Sequence, residues 1–169
     1  MSNVLDAIYA EFLRRLKASS IYSTTDKNKI RPSNIAEYSE MDRNKRLLSI
    51  SDYPALQFIW GDFTPTGASS NGDDYTITIS IECPTGSMIY TKGYNDIALG
   101  LIELCNSFKG WNKTIGTGTI YGASVSSISP IKYDPRNGEG QIECWACSVS
   151  IDFRVKFQRN ATLWNMNLD

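Results

Sequence analysis

The stretch that decides the fold is WACSVSIDFRVKF, residues 145–157. Every second residue from Trp145 to Phe157 is apolar, and the intervening residues from Ser148 to Lys156 are polar. Strict alternation places the apolar side chains on one face of a β-strand. At about 3.3 Å per residue the strand is about 40 Å long, more than one small sheet usually needs. We expect a core strand whose surplus length favours contact beyond one protomer.

Two β-hairpins are predicted around this strand. Residues 56–60 and 75–81 both alternate, and the segment between them, 61–74, is rich in Gly, Ser, Asn and Asp. That composition predicts a long, mobile turn. Residues 118–133 form a second β-rich run, which the turn sequence DPRNG, residues 134–138, joins to the core strand.

Two amphipathic helices are predicted as well. One of them is predicted from an apolar stripe that runs from Tyr94 to Phe108 and stops at Gly110. In the N-terminal helix, Ser2 or Asn3 can cap the start. Its apolar residues recur at helical spacing: Val4, Leu5, Ile8, Phe12, Leu13 and Leu16.

Residues 21–52 are polar, with only scattered aliphatic residues. We interpret them as a loop excursion from the core. Its only basic run, Arg43, Lys45 and Arg46, is either a solvated surface or a partner contact.

The element order α-ββ-α-ββ predicts one α+β domain over residues 1–169. We expect an antiparallel β-sheet with two α-helices packed on one face. Residues 158–169 form a C-terminal tail that has no regular way to bury its apolar groups. Docking on a neighbouring subunit is therefore favoured for Leu163, Trp164 and Met166.

Composition excludes several function classes. The 169 residues include no histidine, which removes Ser-His-Asp catalysis and His-ligated metal sites. Lys plus Arg number 17 and Asp plus Glu 18, so no specific nucleic-acid binding is expected. No apolar run approaches the length of a membrane span, and no signal peptide is recognisable, which favours a reducing cytosolic setting.

Neither cysteines nor carboxylates form a recognisable reactive site. Cys144 and Cys147 are three residues apart, so on a strand their side chains point to opposite faces. A zinc site would also need two further ligands. Core packing is therefore favoured for Cys147. Asp62, Asp73 and Asp74 could share a cation, but they lack the spacing of a calcium loop, and an acidic solvated turn is favoured. We expect no metal, no cofactor and no catalytic residue.

The arrangement resembles tail terminator proteins of long-tailed bacteriophages and the related tail-completion proteins. The resemblance covers roughly residues 3–157: an N-terminal helix, a variable excursion, the strand YPALQF at 53–58, a hairpin, a second helix, and the alternating strand 145–157. It implies a virion protein, assembled in the host cytoplasm, that forms a homo-hexameric ring at the head-proximal end of the tail tube.

The resemblance also implies partners and a non-enzymatic role. The ring would end tube polymerisation and meet the neck or connector protein, and in contractile tails the sheath. The contacts along the tail axis are assigned to the polar segments 21–52 and 61–74. The candidate residues are Asp62, Thr64, Thr66, Asn71, Asp73, Asp74, Arg43, Lys45 and Arg46. Two alternatives stay open: a neck adaptor or head-completion ring, and a small ligand-binding or hydrolytic domain.

Overall fold

The computed structural model describes residues 3–39, 54–69, 72–85, 95–133 and 144–158. These residues form two α-helices, a short 3₁₀-helix and one six-stranded sheet with the order β1-β2-β3-β6-β5-β4. The elements are α1 (Val4–Lys17), the 3₁₀-helix (Pro32–Asn34), β1 (Ile35–Ser39), β2 (Leu56–Ser69), β3 (Gly72–Pro84), α2 (Asn95–Asn106), β4 (Lys113–Ile115), β5 (Gly118–Tyr133) and β6 (Cys144–Gln158).

The expected α+β class, with two helices on an antiparallel sheet, is wrong. Strands make up 54% of the described residues, and the curled sheet is mixed. Strand β1 runs parallel to β2, whereas the other neighbouring strands pair antiparallel. Neither β1 nor β4 is predicted from the sequence, because β1 (IAEYS) begins with two adjacent apolar residues and does not alternate strictly, and the three residues of β4 are too few for a period-two pattern. The fold is dominated by its sheet.

The pairing of β3 with β6 forms the centre of the sheet. All 13 residues of β3 pair with β6 without a register shift. The predicted apolar face of β6 is confirmed from Cys147 to Val155, whose apolar side chains are all buried. The side chain of Trp145 lies outside the described part. Three apolar pairs fill the middle of this face: Ile77 with Phe153, Ile79 with Ile151, and Ile81 with Val149.

Helix α1 packs on this apolar face. Asn3 caps it, since the Asn3 side chain accepts a hydrogen bond from the Asp6 backbone N–H at 2.9 Å, and the Asp6 carboxylate accepts one from Asn3 N–H. The ring of Phe12 lies 5.0 Å from that of Phe58 on β2. The predicted apolar stripe is thus confirmed, and it is what attaches the helix to the sheet.

Helix α2 and the turn after it cover the other half of the same face. Phe108, in that turn, lies 5.4 Å from Phe153 on β6, and Gly110 ends the turn with a φ of 76°. A Cβ at Gly100 would collide with Ile21. Ile21 and Ile30 are both buried and pack in the core. The second part of the predicted excursion, residues 40–52, lies outside the described residues.

Arg15 connects the ends of the two helical segments. Its guanidinium lies over the Phe108 ring at 4.4 Å and donates hydrogen bonds to the Glu11 carboxylate, at 2.7 Å, and to the backbone carbonyl of Ser107. Arg14 also donates to Glu11. The contacts of Arg15 with Ser107 and Phe108 hold the C-terminal turn of α1 against the turn that follows α2.

The contacts of Glu11 predict a pH dependence of stability. The hydrogen bond from Arg14, together with that from Arg15, lowers the pKa of Glu11 from 4.5 to about 2. A carboxyl group with a lowered folded-state pKa stabilises the fold above its unfolded pKa, and this contribution disappears as pH falls through the folded value. Glu11→Gln should therefore reduce the free energy of unfolding at pH 7. The difference from wild type should shrink between pH 4.5 and 2, as measured by urea unfolding.

The aromatic packing predicts that a Phe→Ala substitution lowers the free energy of unfolding more in the core than at an exposed position. Phe153→Ala removes a fully buried ring that contacts Phe108 and Trp111, and should lower the free energy of unfolding by about 3–5 kcal/mol. Phe63→Ala is the matched control, because Phe63 is 46% exposed, and should cost less than about 1 kcal/mol. Equal losses in denaturant unfolding would contradict this placement of the core.

Candidate partner-contact surface

Residues 61–69 and 72–74 are strands, and not part of the long, mobile turn that the composition of 61–74 predicts. Strand β2 continues to Ser69 and β3 begins at Gly72. Pro65 and Gly67 fit within β2 because the β2–β3 register shifts between them, as it also does between Trp60 and Phe63. Irregularities of this kind absorb an extra residue, and an edge strand tolerates proline. The turn-forming residues therefore lie in a hairpin strand with two irregularities.

The second half of β2 is an open edge of the sheet. Within the described residues, β1 pairs with β2 only from Leu56 to Trp60. We call residues 61–69 the outer β2 edge. Residues 62–68 are all exposed, including Phe63 on the helix-covered face and Thr64 on the opposite face. The side chains on both faces of this segment are thus accessible, and among the described residues nothing pairs with its backbone edge.

The structure places some of the predicted contact residues on this surface. Asp62, Thr64 and Thr66 are exposed on the outer β2 edge, and Asp73 and Asp74 lie on the adjacent strand, opposite Ala68 and Gly67. The other candidates fall outside the described residues: Asn71, Arg43, Lys45, Arg46, Leu163, Trp164 and Met166.

The three aspartates do not converge on one point. Asp73 and Asp74 are consecutive in a strand, so their side chains leave opposite faces of the sheet. Asp62 lies farther along the hairpin, between the positions paired with Ile79 and Ile77. Among the described residues, no group of three or more His, Cys, Asp or Glu side chains could hold a metal ion.

A second open edge lies on the far side of the sheet. Strand β4 pairs with β5 only from Gly118 to Ile120, so residues 121–130, the outer β5 edge, lack a neighbour on that side among the described residues. Residues 126–130 are all exposed, and Ile128 is 45% exposed. The sequence does not predict this edge, because the run SVSSIS mixes apolar and polar residues. Gly122 is its one signal, since glycine inside a strand often marks a bulge.

The sheet face away from the helices is polar between the two edges. Thr78 donates a hydrogen bond to Asp152 at 2.8 Å, and the hydroxyls of Ser80 and Ser150 lie 3.3 Å apart. These side chains are half-buried. Cross-strand hydroxyl pairs of this kind satisfy polar groups on a sheet face without an apolar cover.

Tyr121 and two charged residues form a cluster on this polar face. The register of β5 shifts between Ile120 and Gly122, which places Tyr121 in an irregular position. Burial raises the pKa of Tyr121; the charge of Asp74 and a hydrogen bond to it raise the pKa further, and Arg154 opposes them. The cluster links β5, β6 and β3 by electrostatic contact.

The described thiols lie in the buried core. Cys83 and Cys147 pair directly across β3 and β6, and both are buried, as is Cys105 on α2. Burial, and to a lesser extent the neighbouring Cys147, raises the pKa of Cys105. Since the thiolate is the reactive form, Cys105 is not placed to act as a nucleophile. Core packing of Cys147 is confirmed, and the side chain of Cys144 lies outside the described part.

Searches against protein-family models and against curated proteins found no match for this chain. Neither described helix is long and apolar enough to span a membrane. The features of the described residues that bear on function are the two open edges and the polar face between them.

The Tyr121 cluster predicts a measurable titration. Asp74→Asn removes a negative charge beside the phenol and should shift the pKa of Tyr121 down, toward 10.0. Asp73→Asn is the matched control, because Asp73 lies on the opposite face of the sheet. Tyrosine NMR titration, with the Tyr121 signal assigned by Tyr121→Phe, measures both. An unchanged Tyr121 pKa in Asp74→Asn would contradict the contact.

Proposed function

We propose that this chain is a structural subunit of a phage tail, which forms a ring at the head-proximal end of the tail tube and ends tube polymerisation. The observation that supports this best is the pair of open edges on opposite sides of one sheet. A ring built head-to-tail needs two different contact surfaces on each protomer. The outer β2 edge and the outer β5 edge meet that requirement.

The composition of the outer β2 edge suits a contact made after folding. Asp62, Thr64 and Thr66 are polar and exposed, so the free subunit does not present a long apolar strand. Pro65 and the register shifts of β2 also limit unspecific strand addition. A subunit with such an edge can stay in solution by itself and still bind a partner of complementary shape.

The capping mechanism is geometric. A tube subunit presents a growing edge, and a cap occupies that edge without presenting an equivalent one. The proposed partners are further copies of this chain in a homo-hexamer, the tail tube protein, the neck or connector protein and, in a contractile tail, the sheath. No step of this role needs a catalytic residue or a cofactor.

The proposal predicts that the purified protein shortens polymerising tail tubes and binds at one end only. Tube length measured by electron microscopy, with the particle mass from light scattering, tests this directly. Thr64→Lys/Thr66→Lys adds charge and bulk to the outer β2 edge and should reduce capping at least ten-fold. Glu103→Lys, an exposed substitution on α2, is the control and should cap like the wild type.

Two outcomes would contradict the proposal. Tubes of unchanged length, without end-bound protein, would exclude a terminator. Binding to a portal or adaptor ring in place of the tube would favour the neck-adaptor alternative.

A further inference from the structure

We infer that the outer β2 edge of one copy pairs, antiparallel, with the outer β5 edge of a second copy, so that one sheet continues across the subunit boundary. This inference deepens the proposed function and depends on its self-assembly part. It identifies the occupant of the outer β2 edge as another molecule of the same chain.

Strand directions permit this continuation. Across the order β2-β3-β6-β5 every pair is antiparallel, so β2 and β5 run in opposite directions. Two copies placed side by side in the same orientation would bring β5 of one against β2 of the other as an antiparallel pair. The helix-covered face would then stay on the same side in both copies.

The two edges also match residue by residue. From Phe63 to Ala68, β2 takes six residues to span what five residues of β3 span, from Ile77 to Asp73. From Ala123 to Ile128, β5 likewise takes six residues to span five of β6. One extra residue therefore lies within each segment: Thr66 in β2 and Ser126 in β5.

When the two segments are aligned antiparallel, residues on the helix-covered face meet residues on the helix-covered face at both ends, and the same holds for the polar face. Phe63 then meets Ile128 on the helix-covered face, and Thr64 meets Ser127 on the polar face. Phe63 and Ile128 are 46% and 45% exposed, and together they would form one apolar cross-strand pair. The extra residues fall at neighbouring positions, so the irregularity of one edge fits that of the other.

The register sets the stagger between the copies. Within one sheet Phe63 is level with Ala123, through Ile77 and Phe153. Pairing it with Ile128 of the next copy shifts that copy by four residues of β6, about 13 Å along the strands. Four strands of about 4.8 Å each separate equivalent positions by about 19 Å across the sheet.

These two displacements are compatible with ring closure. Their ratio corresponds to strands tilted by about 35° from the ring axis, within the range that closed barrels adopt. The pairing can extend only as far as Pro130, which falls opposite Gly61. The next residue of β2, Trp60, already pairs with β1 of its own copy. Beyond Pro130, the incoming β5 must leave the shared sheet.

Cysteine cross-linking tests this register. Residues opposite each other in an antiparallel pair have Cα atoms about 4.5–5.5 Å apart, which suits a disulfide. Thr64→Cys/Ser127→Cys, oxidised with and without tube protein, should give a ladder of covalent oligomers. Within one chain these positions lie on strands separated by two others, so a link between them must be intermolecular. Thr64→Cys/Ser124→Cys is the matched control, three residues out of register, with the wild-type chain oxidised in parallel.

The expected result is at least ten-fold more ladder from Thr64→Cys/Ser127→Cys than from the control pair. Adding Phe63→Lys should remove most of the ladder, whereas adding Leu99→Lys, at an exposed apolar residue of α2, should not. Circular dichroism confirms that each variant folds. Equal ladders from both pairs, or no ladder under either condition, would overturn the pairing.

The readouts separate this inference from the proposed function. Tubes capped by wild-type protein, with no ladder from Thr64→Cys/Ser127→Cys, would leave the terminator role intact and reject the edge pairing. A register-specific ladder with tubes of normal length would support the edge pairing and reject the terminator role.

Discussion

The uninterrupted ladder between β3 and β6 is the constraint on which the rest of the structure depends. It joins the full length of β3 to β6 in a single register, so the apolar side chains of both strands share one face. A slip of one residue would place the apolar side chains of one strand on the face that holds the polar side chains of the other. The helices have a surface to pack on only because this register is kept.

Outside the central pair, regularity gives way to local adjustment. Strands β2 and β5 each contain two register shifts, whereas the β3–β6 pair between them contains none. Extra residues in the outer strands lengthen the flanks relative to the centre, which increases twist and curl. The irregular edges are also where large apolar side chains such as Phe63 and Ile128 remain exposed. The strand register is thus regular in the buried centre of the sheet and irregular in the strands on either side of it.

The sequence predicts the parts of the fold whose pattern is long. Alternation over Cys147–Val155 and helical spacing over Val4–Leu16 each span many residues, and both match the structure. Short elements carry too little pattern, so β1 is hidden in a polar stretch. Its parallel orientation cannot be recovered from periodicity, which is the same for both directions.

The candidate surface is predictable only in part, for a related reason. Turn-forming residues such as Pro65 and Gly67 direct attention to the correct segment but to the wrong structure, because a bulged edge strand and a loop share their composition. The outer β5 edge has no signal in its side chains. It exists because β4 ends early, and that is a property of the assembled sheet.

The order of strands along the chain has a kinetic consequence. Thr78 and Asp152, hydrogen-bonded across the central pair, are separated by 74 residues. Closing such a distant contact costs loop entropy before it yields any stabilisation, so topologies of this type fold slowly. During synthesis β3 emerges well before β6, and the backbone edge of β3 that pairs with β6 stays unpaired until β6 arrives. Unpaired strand edges are sites of unwanted pairing with other chains, so the interval before β6 is synthesised is the one in which this edge is exposed.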